Sequence, residues 1–218
     1  LRCVLLPLKE CVLAFDTSAA HCAVSLFIDG KCFEERIELM VKGQAERLFP
    51  LCEEILNSAS LSWKNIDVIG VCVGPGNFTG VRVGVSAARG LALSLSKPAI
   101  GISRLDAMAL DSKGPLSVIM DARRERIYIQ DFLNGIAIND PKIVEIENQD
   151  LSINAIVSSD DKNINLFKNS KRPKNTLPSA IAQLAITRIG NKNSRPAPLY
   201  LQEPNASLPK EQPPKIIP

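Results

Sequence analysis

The run Gly74-Pro75-Gly76-Asn77-Phe78-Thr79-Gly80 brings three glycines into seven residues, directly ahead of a helical pattern. Glycines let backbone approach a ligand closely, and the first amides of the following helix would point at an anion. Gly74, Gly76 and Gly80 are therefore candidate phosphate-loop residues, with a tight structural turn as the competing reading. The run lacks the lysine of G-x-x-x-x-G-K-[ST], and its glycine spacing misses the dinucleotide fingerprint by one residue. A second candidate is Asp16-Thr17-Ser18, where an apolar run ends on a carboxylate followed by two hydroxyls. Asp16 could orient magnesium or water while Thr17 meets a phosphate, or Asp16 could cap its own turn. Asp121 ends another apolar run and allows the same two readings. Beside it Arg123, Arg124 and Arg126, opposed by Glu125, form a small basic cluster.

Two residue types limit the chemistry. His21 is the single histidine, which excludes mechanisms needing two, the helical zinc pairs of metalloproteases among them. It falls in a stretch reading as strand or turn, and is expected to be structural or solvated. Six cysteines, at 3, 11, 22, 32, 52 and 72, form no C-x-x-C pair, so zinc and redox readings lose their spacing argument. Cys22 and Cys72 in strand-like runs and Cys52 on a helix face read as small buried hydrophobes. No metal and no cofactor are expected. The apolar segment 1–8 lacks a basic n-region and a useful cleavage site, so reduced thiols in a cytoplasm are the expectation.

The elements that must position these residues follow from periodicity. The run 11–16 reads as a buried strand and 22–28 as a second, with Asp29-Gly30 as a two-residue hairpin turn and 31–39 as the return strand. Residues 45–59 switch to helical period, with Ala45, Leu48, Phe49, Cys52, Ile55, Leu56 and Ala59 on one face and a bend expected at Pro50. A near-continuous apolar strand over 67–73 feeds the glycine run, followed by a helix over 81–95 and a strand over 99–102.

The second half reads as a worn copy. Residues 116–120 form a strand ending on Asp121, 126–133 a second strand, Asn134-Gly135 a turn, and a third strand starts at Ile136. Aligning Asp16 with Asp121 superposes the two hairpin turns. Short strands are expected at 153–157 and 164–167 and a helix over 179–189. Two facing β-β-β-α-β-α lobes, the C-terminal one reduced, imply an α/β fold of the actin/Hsp70/sugar-kinase type. The expected division is an N-terminal lobe over 11–104, a reduced C-terminal lobe over 105–194 and a Pro-rich tail over 195–218. Nine of the fifteen prolines lie between Pro173 and Pro218, so the tail should be an extended arm anchored by Leu199, Tyr200 and Leu201.

Composition is that of an ordinary globular chain: 218 residues, 45% hydrophobic and 22% charged. No run of eighteen apolar residues suggests a membrane span. Twenty-six basic against twenty-three acidic residues give +3, which permits an RNA contact without arguing for one. The helix over 81–95 is apolar around nearly its whole circumference, with Arg82 and Arg89 its only charges. Such a helix must be covered all round. The sheet covers one side, and a partner protein is the economical cover for the other.

The runs V-L-A-F-D-T-S, G-P-G-N-F-T-G-V-R-V-G, A-A-R-G-L-A-L and D-A-R-R, with the tail P-A-P-L-Y-L-Q-E-P-N-A, resemble the TsaB family, also called YeaZ. The resemblance covers most of 11–133 and then 196–209. It implies a bacterial, non-catalytic subunit of the machinery that makes threonylcarbamoyladenosine in tRNA beside the anticodon. It further implies a TsaD-like transferase as partner, a TsaE-like ATPase joining through the complex, a homodimer as another assembly, and tRNA as substrate of the complex. The helices expected to pair with the partner would present Ala45, Leu48, Phe49 and Cys52, and Arg82, Gly84, Val85, Ala88 and Leu91. The family's D-A-R-x-[GD]-E-V-Y pattern appears as Asp121-Ala122-Arg123-Arg124-Glu125-Arg126-Ile127-Tyr128, with arginine in place of the usual acid. The alternative is an autonomous enzyme of the same fold, a sugar-kinase-like phosphotransferase or a glycopeptidase; a third is a dimerising scaffold unrelated to tRNA.

Overall fold

The computed structural model describes residues 10–150, 154–157, 167, 169–190 and 195–201. β1 (Cys11–Asp16) is buried along its whole length, as its unbroken apolar run requires of a strand covered on both faces. It pairs antiparallel with β2 (His21–Ile28), which pairs antiparallel with β3 (Lys31–Leu39). Asp29 and Gly30 turn the hairpin at φ 53° and 73°, the left-handed pair that a two-residue turn matched to strand twist demands. α1 (Gln44–Ser58) follows and keeps Pro50 within it. β4 (Val68–Cys72) and β5 (Ala99–Ile102) add parallel to β1 and to each other, giving the order β3-β2-β1-β4-β5. Between them runs α2 (Phe78–Leu95), which begins three residues before the sequence expectation because Asn77 caps it.

A short helix that periodicity did not announce, α3 (Arg104–Ala109), leads to the second sheet. There β6 (Pro115–Asp121) pairs antiparallel with β7 (Arg126–Leu133) across Asn134 and Gly135, again left-handed at φ 52° and 77°. The single third strand expected from Ile136 is split into β8 (Ile136–Ala137) and β9 (Lys142–Glu145), both antiparallel to β7. Pro141 lies at the break and has no N–H to continue a ladder. β10 (Asn154–Val157) and β11 (Asn169–Lys171) add parallel to β6. The strand expected over 164–167 falls largely outside the described residues; Phe167 itself is a buried bend.

The two sheets thus repeat one plan: three antiparallel strands, then two added parallel to the first. The fold is α/β of the actin/Hsp70 type. The second copy is reduced, since a single 3-10 turn over Ile146–Asn148 stands where the first lobe has α1. α1 and α2 cover one face of the first sheet through Leu48, Leu51, Cys52, Ile55, Val81, Val85 and Ala88. The other face is covered by α4 (Leu177–Thr187), through Ala180, Ile181, Ala182 and Ala185. Sequence order places α4 in the second lobe, yet it packs on the first sheet, while α3 packs Leu105, Met108 and Ala109 on the second. Each lobe's last helix therefore buries its apolar side on the opposite sheet. Among the described residues no helix is long and apolar enough to cross a membrane.

Candidate functional site

Asp16 ends β1 beneath the turn formed by Thr17 and Ser18. Its Oδ1 accepts the Ser18 backbone N–H at 2.7 Å, and its Oδ2 lies 2.7 Å from Nε2 of His21. The carboxyl group is fully buried, which alone would raise its pKa. The His21 hydrogen bond and charge, the Arg104 charge and the Ser18 bond outweigh that and hold it well below the usual carboxylate range. The lone histidine is thus the partner of the buried aspartate rather than a solvated residue. Register brings it there: β1 and β2 pair antiparallel, with Asp16 opposite Ala23, so the residue opening β2 returns to the end of β1.

A depressed folded-state pKa contributes stability above the unfolded carboxylate pKa of about 3.9, and that contribution is lost as pH falls through the folded value. His21→Ala should therefore cost about 1–3 kcal/mol at neutral pH and move the acid-unfolding midpoint to higher pH. Urea melts and an acid titration followed by circular dichroism check this; an unchanged acid midpoint would show that His21 does not hold Asp16.

The glycine run packs directly on this turn. Asn77 donates its N–H to the Ser18 carbonyl at 2.6 Å, and Thr17 Oγ1 donates to the Gly80 carbonyl at 2.7 Å. A Cβ on Gly76 would sit 2.3 Å from the Ser18 carbonyl oxygen, and one on Gly80 only 1.9 Å from that of Thr17. Gly74, at φ 97°, takes a conformation L side chains rarely adopt. These glycines make room for protein backbone. The helix start is likewise occupied, since Asn77 Oδ1 accepts the Gly80 N–H at 3.1 Å. Both Asp16 oxygens and these two amides are engaged within the chain, so the arrangement does not fit a phosphate or a divalent cation held by Asp16. Among the described residues no three His, Cys, Asp or Glu side chains are grouped as metal ligands.

Across the lobes, Asp121 repeats the Asp16 geometry: its Oδ1 accepts the Arg123 N–H at 2.7 Å. Arg123, Arg124 and Glu125 then turn through left-handed φ values of 63°, 53° and 58°. A cleft of about 600 Å³ opens between the two turns, with Ser18, Gly76, Asn77 and Phe78 on one wall and Met120, Asp121, Arg123 and Tyr128 on the other. Arg104, 7% exposed, lies in its lining and donates its backbone N–H to the Gly74 carbonyl at 2.7 Å.

The helix residues expected at a partner surface divide. Leu48, Cys52, Gly84, Val85, Ala88 and Leu91 are buried inside the chain, and a Cβ on Gly84 would meet Thr17 Oγ1 at 2.9 Å. The small-residue ridge faces the chain's own sheet because only small residues let α2 lie this close to it. Arginine at Gly84 or Ala88 would disrupt the core rather than an interface. Ala45, Phe49 and Arg82 remain on the surface, joined by Leu93 at 84% exposure and by Phe78. The tail covers part of α2: Leu199 donates its N–H to Val73 at 2.8 Å, and Arg89 Nε donates to the Pro196 carbonyl at 2.7 Å. Arg82 Nε donates to the Tyr200 hydroxyl at 2.7 Å while its guanidinium sits 3.7 Å from the Phe78 ring centre. Gly101 admits Pro196, whose Cα would lie 3.1 Å from an added Cβ.

The five described cysteines are free thiols, and only Cys32 is exposed. Burial pushes Cys11 up to about 11 and Cys22 up to about 12, and raises Cys52 and Cys72 as well. Iodoacetamide should therefore modify Cys32 before these four, as read by peptide mass mapping. Modification of Cys72 as fast as Cys32 would show that the core under the cleft opens readily.

Comparison with known proteins adds to this geometry. The family model described as "TsaD: tRNA N6-adenosine threonylcarbamoyltransferase" matches residues 38–195. The tRNA threonylcarbamoyladenosine biosynthesis protein TsaB of Escherichia coli is 35% identical over 156 residues, covering 65% of this chain and 67% of that protein. TsaB of Bacillus subtilis is 33% identical over 130 residues, 57% of each chain. The solved structure of YeaZ from Pseudomonas aeruginosa aligns with a TM-score of 0.71 at 22% identity, over 88% of this chain and 100% of that one.

Proposed function

The chain belongs to the TsaB (YeaZ) family, and we propose that it serves threonylcarbamoyladenosine biosynthesis in tRNA as a partner-binding subunit with no reaction centre of its own. The observation that carries this reading is the internal engagement of the strand-end site. Asp16 is bonded to Ser18 and His21, and the glycine loop is filled by the Thr17 and Ser18 backbone, where a phosphotransferase would need free groups. The site holds the N-terminal lobe together, and what that lobe offers outward is the surface of α1 and α2.

In this reading a TsaD-like transferase docks on Ala45, Phe49, Arg82 and Leu93. A TsaE-like ATPase joins through the resulting complex, tRNA is the substrate of the whole, and a second copy of the chain competes for the same face when the transferase is absent. The setting is the cytoplasm. Co-expression with the TsaD-like protein of the same organism, followed by sizing, tests the docking. A stable one-to-one peak supports it; two separate peaks at micromolar concentration contradict it.

A further inference from the structure

The tail runs antiparallel to α2. Pro196 is held by Arg89, and Tyr200 by Arg82 and Phe78, so the chain travels from the second half of the helix toward its first residue. The Phe78 ring centre is 5.2 Å from that of Tyr200, and Phe78 also lines the interlobe cleft. The described residues therefore end at the rim of a cleft of about 600 Å³.

The cleft has a definite chemistry. Val41, Phe78, Met120 and Tyr128 supply apolar wall, and Arg104 and Arg123 oppose the single acid Asp121. The residues next in sequence, Gln202-Glu203-Pro204-Asn205-Ala206-Ser207-Leu208-Pro209, lie outside the described residues and match it in order. Glu203 comes two positions after Leu201, suited to the arginine pair, and Leu208 follows for the apolar wall. Pro204 and Pro209 restrict the intervening backbone to extended conformations, which lowers the entropy lost on docking. We propose that residues 202–208 occupy the interlobe cleft as an internal strap, continuing the path set by the Tyr200–Phe78–Arg82 stack. The strap fills the space where relatives of this architecture would admit a small ligand, and couples the two lobes through the chain's own tail.

Hydrogen exchange read by mass spectrometry tests this on the full chain and on a chain ended after Leu201, which keeps every tail contact described above. Amides at 18–20, 76–78 and 120–123 should exchange about tenfold faster in the shortened chain, while those of α1 and α4 stay unchanged. The full chain carrying Glu203→Lys and Leu208→Asp should show the same acceleration. That variant also decides the matter if shortening loosens the whole molecule. Equal exchange at the cleft in the full chain and in this variant would overturn the proposal, as would acceleration confined to elements far from the cleft.

Discussion

Gly80→Ala should leave the chain unable to fold stably. The added Cβ would stand 1.9 Å from the Thr17 carbonyl oxygen, a contact between two backbones, with no flexible side chain to give way. Relief requires pulling α2 off the Asp16 turn. That movement breaks the Thr17–Gly80 bond and exposes the packing of Val81 and Val85 beneath it. Strain of this kind together with lost packing lies at the severe end of single substitutions, about 4–5 kcal/mol or more. Total stabilities are about 5–15 kcal/mol, so most of the folded population would be lost. Gly90→Ala in the same helix supplies the control of opposite sign. Nothing lies within 4 Å of its added Cβ, so alanine there should stabilise by about 0.5–1 kcal/mol through helix propensity alone. Thermal melts of the two variants decide. A Gly80→Ala protein melting near the wild type would show that the close approach of loop and turn is not what holds this lobe.

Leu93→Arg and, separately, Phe49→Asp should abolish association with the TsaD-like partner while leaving the chain folded. Leu93 is 84% exposed and Phe49 42%, so neither change disturbs the monomer's core. On a docked surface they become the apolar anchors of α2 and α1. Losing one such anchor costs at least about 2 kcal/mol, roughly thirtyfold in Kd, and a charge facing apolar surface adds its desolvation cost. Circular dichroism beside co-elution separates the outcomes. Folded variants that still co-elute with the partner would move the interface away from these helices.

Local chemistry made much of this fold readable from the residues. Both hairpins were legible because Asp29-Gly30 and Asn134-Gly135 accept positive φ at adjacent positions, a requirement few pairs meet. β3, β5 and β7 were readable to the residue, since turn residues or prolines bound their apolar runs. α3 carried a signal that went unused: Ser103 stands three residues before Asp106 and accepts its N–H at 2.9 Å, a helix-start pattern too short for periodicity to show. The inward face of α2 was not legible. A helix apolar around its circumference has no weak side, so its pattern reports total burial and not direction. The cover expected from a partner is in part the chain's own tail, held by arginines 82 and 89 over a separation no local pattern records. The exchange of α3 and α4 between sheets was hidden for the same reason, because sequence order assigned each helix to the strands before it.

At the candidate site the residues singled out do meet. Asp16, Thr17, Gly76 and Gly80 lie against one another. Their types were compatible with phosphate or with a tight turn, and the carbonyl-to-Cβ distances favour the turn. His21 joined them through strand register, which a lone histidine in sequence does not announce.

The most direct measurement is reconstitution of the modification. Unmodified tRNA is incubated with the TsaD-like transferase and the other threonylcarbamoyladenosine proteins of the organism, with and without this chain, and also with this chain alone. The nucleosides are then read by mass spectrometry. A partner-binding subunit without its own reaction centre requires the modified nucleoside when the chain joins the others, with little formed in its absence and none from the chain alone. Equal modification without the chain, or modification by the chain alone, would contradict that role.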